Sequence, residues 1–173
     1  MPRAISIKAT GSDNAPFLQL WDTLAMLEAK PSMAALNYPP HITIAIYEDL
    51  GVDEVTSAMD QTFAYQRSLR LRFSELDCFQ IPGFVVWARP DENENLMDLH
   101  QRLNTVIDPS RCHDHYRPGN WLPHCTLATN IAAARKDKAL ALIATPIEPF
   151  DVAFDIADCV EFPPVRVLHQ IKL

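Results

Sequence analysis

His41 and His124 each stand two positions before a threonine, Thr43 and Thr126, inside segments that match position by position. Tyr38-Pro39-Pro40-His41-Ile42-Thr43-Ile44-Ala45 aligns with Trp121-Leu122-Pro123-His124-Cys125-Thr126-Leu127-Ala128, with an aromatic, a Pro, a His, a Thr, an aliphatic and an Ala at the same offsets. One His-x-Thr alone reads as a strand end with a hydrogen-bonded His. Two in one frame, in opposite halves of the chain, read as two related half-structures facing one another. Such a set suits acid-base work on a phosphodiester. One imidazole takes a proton from water and the other delivers one to the departing oxygen, because an unperturbed His titrates at about 6.5. Two hydroxyls donate to the non-bridging oxygens. A His on each side of phosphorus suits an in-line displacement, and no metal is required.

The elements that must position these groups are strands. β-Branched and aliphatic residues follow a Pro able to open a strand. Strand residues two apart share a face, about 6.6 Å from one another. His41 and Thr43 therefore share one face and His124 and Thr126 another, while Ile42, Ile44, Cys125 and Leu127 point into packing. Two copies related by a pseudo-twofold present a symmetric set of two His and two Thr.

The paired Pro-His-x-Thr-aliphatic pattern, one copy per half, resembles the 2H phosphoesterase superfamily, including its 2′-5′ RNA ligase and cyclic phosphodiesterase branch. Phe84-Val85-Val86-Trp87-Ala88, followed by a Leu-spaced helix, is similar to the segment between the motifs in that group. The resemblance implies two antiparallel sheets around a central cleft with helices outside. It implies chemistry on 2′,3′-cyclic phosphates, or the reverse joining of RNA ends through a 2′-5′ bond, with His41 and His124 as acid and base and Thr43 and Thr126 on the phosphate. The ligase branch often carries Arg soon after the second motif, where this chain has Thr129 and Asn130, and an Arg-aromatic start, where it has Arg3-Ala4-Ile5. Both departures weigh against ligation more than against hydrolysis.

With 173 residues, the chain is long enough for one domain with a real core. Hydrophobic residues at 48% and charged residues at 21% place it among globular proteins rather than disordered ones. A net charge of −7 argues against coating long duplex nucleic acid but permits a small cyclic nucleotide or an RNA terminus as substrate. Cys78, Cys112, Cys125 and Cys159 show no Cys-x-x-Cys spacing, and the N-terminus lacks a leader's apolar run. A cytoplasmic setting with reduced thiols is expected, with no membrane span, no cofactor and no obligate protein partner.

Periodicity predicts α+β: a single two-lobed domain over 1–173 with mostly short antiparallel strands. Strands are expected at 3–9, 41–47, 69–73, 84–88, 122–128, 150–156, 157–162 and 165–173. Helices are expected at 14–28, 52–66, 92–107 and 131–143. A turn is expected at Pro82-Gly83 and a polar, irregular loop at 108–120, well placed to touch a ligand. Tyr38 and Trp121 at the mouths of the motifs can stack on a base, with packing of the loop against the sheet at least an equal reading. Tyr116 and Arg117 can reach substrate from the loop, with a solvated loop the equal reading. His113-Asp114-His115 has no second ligand pair at metal spacing and reads as polar loop. His100 and His169 read as structural, Cys125 faces away from the cleft, and Arg70 with Arg72 reads as a solvated face. A non-catalytic nucleotide or phosphometabolite binding module is the alternative to an enzyme.

Overall fold

Among the described residues, 1–80 and 83–173 of the computed structural model, strands and helices follow in the order β1 (Arg3–Lys8), α1 (Ala15–Ala25), β2 (His41–Tyr47), α2 (Val52–Phe63), β3 (Leu69–Phe79), β4 (Val85–Pro90), α3 (Glu94–Val106), β5 (Cys125–Ala128), α4 (Lys136–Ile143), β6 (Phe150–Phe154), β7 (Ile156–Glu161) and β8 (Arg166–Lys172). Pro82 of the expected turn lies outside the described residues. The expected α+β arrangement is what forms. The two four-stranded halves meet edge to edge in one curled antiparallel sheet of order β6-β3-β4-β5-β2-β1-β7-β8. Read outward from the middle, each half begins with its motif strand, β5 or β2. The seam between them is narrow, a single Cα pair, Ile42 opposite Cys125.

One face of the sheet is covered by apolar packing. Ile5, Ile7, Ile42, Ile44, Cys125 and Leu127 are buried there, and α1 adds Phe17, Trp21 and Leu24 to the same core. Phe17 meets Phe73, Phe150 and Phe154 edge-on, with ring centroids 4.8, 5.1 and 6.5 Å away. Such pairs add to the area term of roughly 1.5–3 kcal/mol for each large buried side chain.

Three elements depart from the expected bounds for physical reasons. β3 runs six residues past the expected Phe73 to Phe79. Its register with β4 shifts between Phe73 and Glu75, so burial moves from Leu69, Leu71 and Phe73 to Leu76. A bulge flips the inside-outside phase, and strict alternation could not be followed through it. α1 stops at Ala25 rather than Glu28, because the backbone beyond it pairs with 130–132. Glu28 bridges Ile131, Ala29 N–H donates to Asn130 O and Ala132 N–H donates to Leu27 O, both at 3.0 Å. The Glu28 carboxylate reinforces the junction. It accepts the backbone N–H groups of Ser32, Thr129 and Asn130 at 2.9, 3.0 and 3.0 Å, tying the end of α1 to the end of β5. The 108–120 segment is ordered by one-turn 3₁₀ helices at Pro109–Arg111 and Asp114–Tyr116 and by a bridge from Cys112 to Tyr47 of β2. No helix among the described residues is long and apolar enough to cross a membrane.

Candidate active site

The seam decides where the motif side chains go. Residues opposite one another on paired strands share a face, so Ile42 and Cys125 put His41 and Thr43 on the same side as His124 and Thr126. All four are half-buried, while Ile42, Ile44, Cys125 and Leu127 between and beyond them are buried. Diagonal neighbours across such a pair lie roughly 7–8 Å apart, a gap that suits a phosphate between two rings. Beyond the single pair the strands part, and indoles serve the carbonyls there. Trp121 Nε1 donates to Thr43 O at 3.0 Å, and Trp21 Nε1 donates to Thr126 O at 3.3 Å.

Each imidazole is held in the same way. His41 Nδ1 donates to Pro39 O at 2.9 Å and His124 Nδ1 donates to Leu122 O at 2.7 Å. A carbonyl only accepts, so each ring carries a proton on Nδ1 and leaves Nε2 for chemistry. The Pro between carbonyl and His, Pro40 or Pro123, fixes the backbone so that this two-residue loop closes. Burial is the main cause that holds both imidazoles below their ordinary range. At His41 the Pro39 carbonyl and the Asp158 carboxylate oppose it, while His124 and Lys8 push the same way as burial. At His124 only the Leu122 carbonyl opposes.

The two flanks of the quartet differ. Beside Thr43 lies Ser6, its Oγ 3.4 Å from the Thr43 hydroxyl. Beyond it is a buried polar group of Tyr38, Lys8 and Asp158. Beside His124 stand Phe79 and Trp87, with ring centroids at 5.3 and 5.6 Å. Phe79, Val85, His115, Tyr116, Asn120, Trp121, Leu122 and His124 line a pocket of about 400 Å³.

Several expected site residues are placed differently. Tyr38 is 7% exposed, donates its hydroxyl to Asp158 and packs against His41 with ring centroids 4.8 Å apart, so burial leaves it little surface for a base. Trp121 is 8% exposed and gives one face to His100, stacked at 4.2 Å and 9°. Its remaining edge lines the pocket. Tyr116 lines that pocket as well. Arg117 is spent on its own loop, donating to Cys112 O at 2.9 Å and Ser110 O at 2.8 Å and pairing with Asp114 at 2.7 Å. His100 is buried and bonds Tyr116 O at 2.8 Å; His169 contacts Asp60 of α2 at 2.8 Å. Burial pushes the Cys125 thiol up to about 12, which leaves it protonated at neutral pH. Among the described residues no group of three or more His, Cys, Asp or Glu could hold a metal ion. Ser6, Lys8, Phe79 and Asp158 were not singled out from sequence. Ser6 and Lys8 alternate on β1, but only strand pairing shows that they flank Thr43 and His41.

The comparisons fit this geometry. A family model described as the 2′-5′ RNA ligase superfamily matches residues 13–162. No curated protein sequence matches. Among solved structures, E. coli LigT with 3′-AMP superposes at a TM-score of 0.69 and 15% identity, covering 100% of this chain and 99% of that one. TT0787 of Thermus thermophilus superposes at 0.68 and 16%, covering 100% and 98%. E. coli LigT with ATP superposes at 0.61 and 14%, covering 100% and 99%. At these identities the structures speak for the fold, and the family model for the lineage: the chain belongs to the 2′-5′ RNA ligase superfamily.

Proposed function

We propose that this protein hydrolyses a 2′,3′-cyclic phosphodiester of a nucleotide or of an RNA end without a metal. The observation that carries this is the seam quartet, two imidazoles tethered through Nδ1 with a Thr hydroxyl beside each. One His takes the proton of the attacking water through Nε2. The other protonates the departing ribose oxygen through its own Nε2. Thr43 and Thr126 donate to the non-bridging oxygens, where charge grows in the transition state. Formation of a 2′-5′ bond between RNA ends is the same displacement with a 5′-hydroxyl in place of water: the 5′ oxygen attacks the cyclic phosphate, the 3′ oxygen leaves, and each His keeps its role. E. coli LigT structures that hold 3′-AMP or ATP support a nucleotide as the substrate class.

The nucleoside goes to the aromatic side. Phe79, 36% exposed, offers the open ring there, and Trp121 and Tyr116 close the pocket behind it. Stacking on such a ring is worth about 1–3 kcal/mol per base. Phe79→Ala is therefore expected to raise KM for a cyclic nucleotide by roughly tenfold or more, with kcat changed far less. An unchanged KM in steady-state assays would move the base elsewhere.

The deciding experiment is a panel of 2′,3′-cyclic nucleotides followed by phosphorus NMR, with and without EDTA. Conversion of the cyclic signal to a monoester, indifferent to EDTA, supports the proposal. Saturable binding with no new signal would leave a nucleotide-binding module. Conversion abolished by EDTA would point to a metal-dependent hydrolase. The pH profile adds a second check. The base must be neutral and the acid protonated, so kcat/KM is bell-shaped and reports the free enzyme. Because burial lowers both imidazoles, the maximum of kcat/KM is expected on the acid side of about 6.5. A maximum well above neutrality would contradict those environments.

A further inference from the structure

The cleft face carries two matching cross-strand rows. One runs Thr43, Ser6, Asp158, Gln170 over β2, β1, β7 and β8. The other runs Thr126, Trp87, Asp77 over β5, β4 and β3. Each sets an Asp two strands out from its Thr, but the residue between differs. Past the small Ser6, Asp158 is 0% exposed and reaches inward. It accepts the Tyr38 hydroxyl, and Lys8 Nζ lies 2.6 Å from Oδ2 in an ion pair too bent to count as a hydrogen bond. Lys8 also donates to Gln170 Oε1 at 3.2 Å and stands 5.1 Å from the Tyr38 ring centroid. Tyr38 in turn packs its ring against His41, the two planes inclined at 66°. On the other side Trp87 fills the space, and Asp77 accepts the N–H of its neighbour Cys78 at 2.7 Å.

A buried ion pair is a weak stabiliser, often replaceable by neutral residues of similar volume without loss. Something other than stability is therefore needed to explain two charges buried beside one imidazole and not the other. We propose that Asp158 is a positioning residue for the reaction, holding the His41 ring and its surroundings through Tyr38 and Lys8, and that this makes the two symmetry-related histidines chemically unequal. The inference rests on the phosphoesterase reading for its effect on turnover only. The charged groups that face His41 are Lys8 on β1, Asp158 on β7 and, when protonated, His124 across the seam; the Tyr38 hydroxyl stays neutral because burial, and then Asp158, raise its pKa.

The test is Asp158→Asn beside the double variant Lys8→Met with Asp158→Asn, which removes both charges if the single variant folds poorly. Thermal unfolding reports the fold, the ring-proton NMR titrations of His41 and His124 are followed without substrate, and kcat and KM are measured across pH. The Asp158 carboxylate favours the His41 imidazolium, so its loss is expected to move the His41 titration to lower pH and leave that of His124 in place. The double variant moves it in the same direction by less, because Lys8 opposed Asp158. In Asp158→Asn, kcat is expected to fall on the order of tenfold to a hundredfold with KM nearly unchanged. Titrations that stay put, or that move together in both rings, overturn the inference, as does a kcat loss that only follows lost folded protein. A His41 titration that moves in a protein with no turnover on any cyclic nucleotide would overturn the phosphoesterase reading instead.

Discussion

His41→Ala and His124→Ala are each expected to lower kcat/KM on a 2′,3′-cyclic nucleotide by on the order of 10²–10⁴, with the fold kept. That range is what a positioned acid or base contributes. Each ring is half-buried at the open side of the seam, and its one hydrogen bond to protein runs to a local carbonyl, Pro39 O or Leu122 O. Truncation loses the ring contacts with Tyr38 at His41 and with Phe79 and Trp87 at His124, but it breaks no side-chain hydrogen bond between distant segments. The double variant is expected to lose far less than the product of the single losses, because base and acid act in one step and what remains is substrate binding and the Thr donors. Steady-state assays with circular dichroism on the same samples check this. Turnover within threefold of wild type in either single variant would remove that His from the reaction.

Trp121→Ala is expected to cost about 3–5 kcal/mol of stability, the usual range for emptying a buried aromatic site. Trp121 fills core volume, stacks on His100 and donates to the Thr43 carbonyl, so one truncation touches the core, α3 and the seam. Trp121→Phe keeps most of the bulk and loses the donor, at a cost of about 1 kcal/mol. Denaturant melts separate the two. The functional effect should not follow the same ranking: Phe leaves the Thr43 carbonyl unserved where the strand must stay parted, so its loss of kcat should exceed what so small a stability change suggests. If Trp121→Ala melts within about 1 kcal/mol of wild type, the seam does not depend on the indole.

Most of the strands and helices, and the shared face of each His and its Thr, were legible because they rest on local rules; the strand order was not. Period-two alternation gave β1 and β2, the His-x-Thr spacing gave a shared face, and the repeat gave the pairing of halves. What was not legible depends on contacts between distant segments. The length of β3 was hidden by its bulge at Phe73 to Glu75, which also hid Phe79 from view as a site residue. Tyr38 and Trp121 looked alike at the mouths of the motifs, yet Asp158 claims one and His100 the other. Nothing near Tyr38 in sequence announces a carboxylate on β7. Arg117 looked free to meet substrate, and its partners turned out to be two carbonyls and an Asp of its own loop.

Because β2 and β5 lie side by side at the centre of the sheet, each half covers the open strand margin of the other. Margins left bare invite a second molecule, and two identical halves could close the same sheet as a homodimer with isologous contacts. Such a dimer would be bound to repeat every choice: a tryptophan on one side of the cleft would mean a tryptophan on both. A single polypeptide escapes that constraint, which is how Ser6 and Trp87 come to stand at corresponding places. The sheet thereby acquires a polarity, and under the proposed function an unsymmetrical diester has one way round to lie on it.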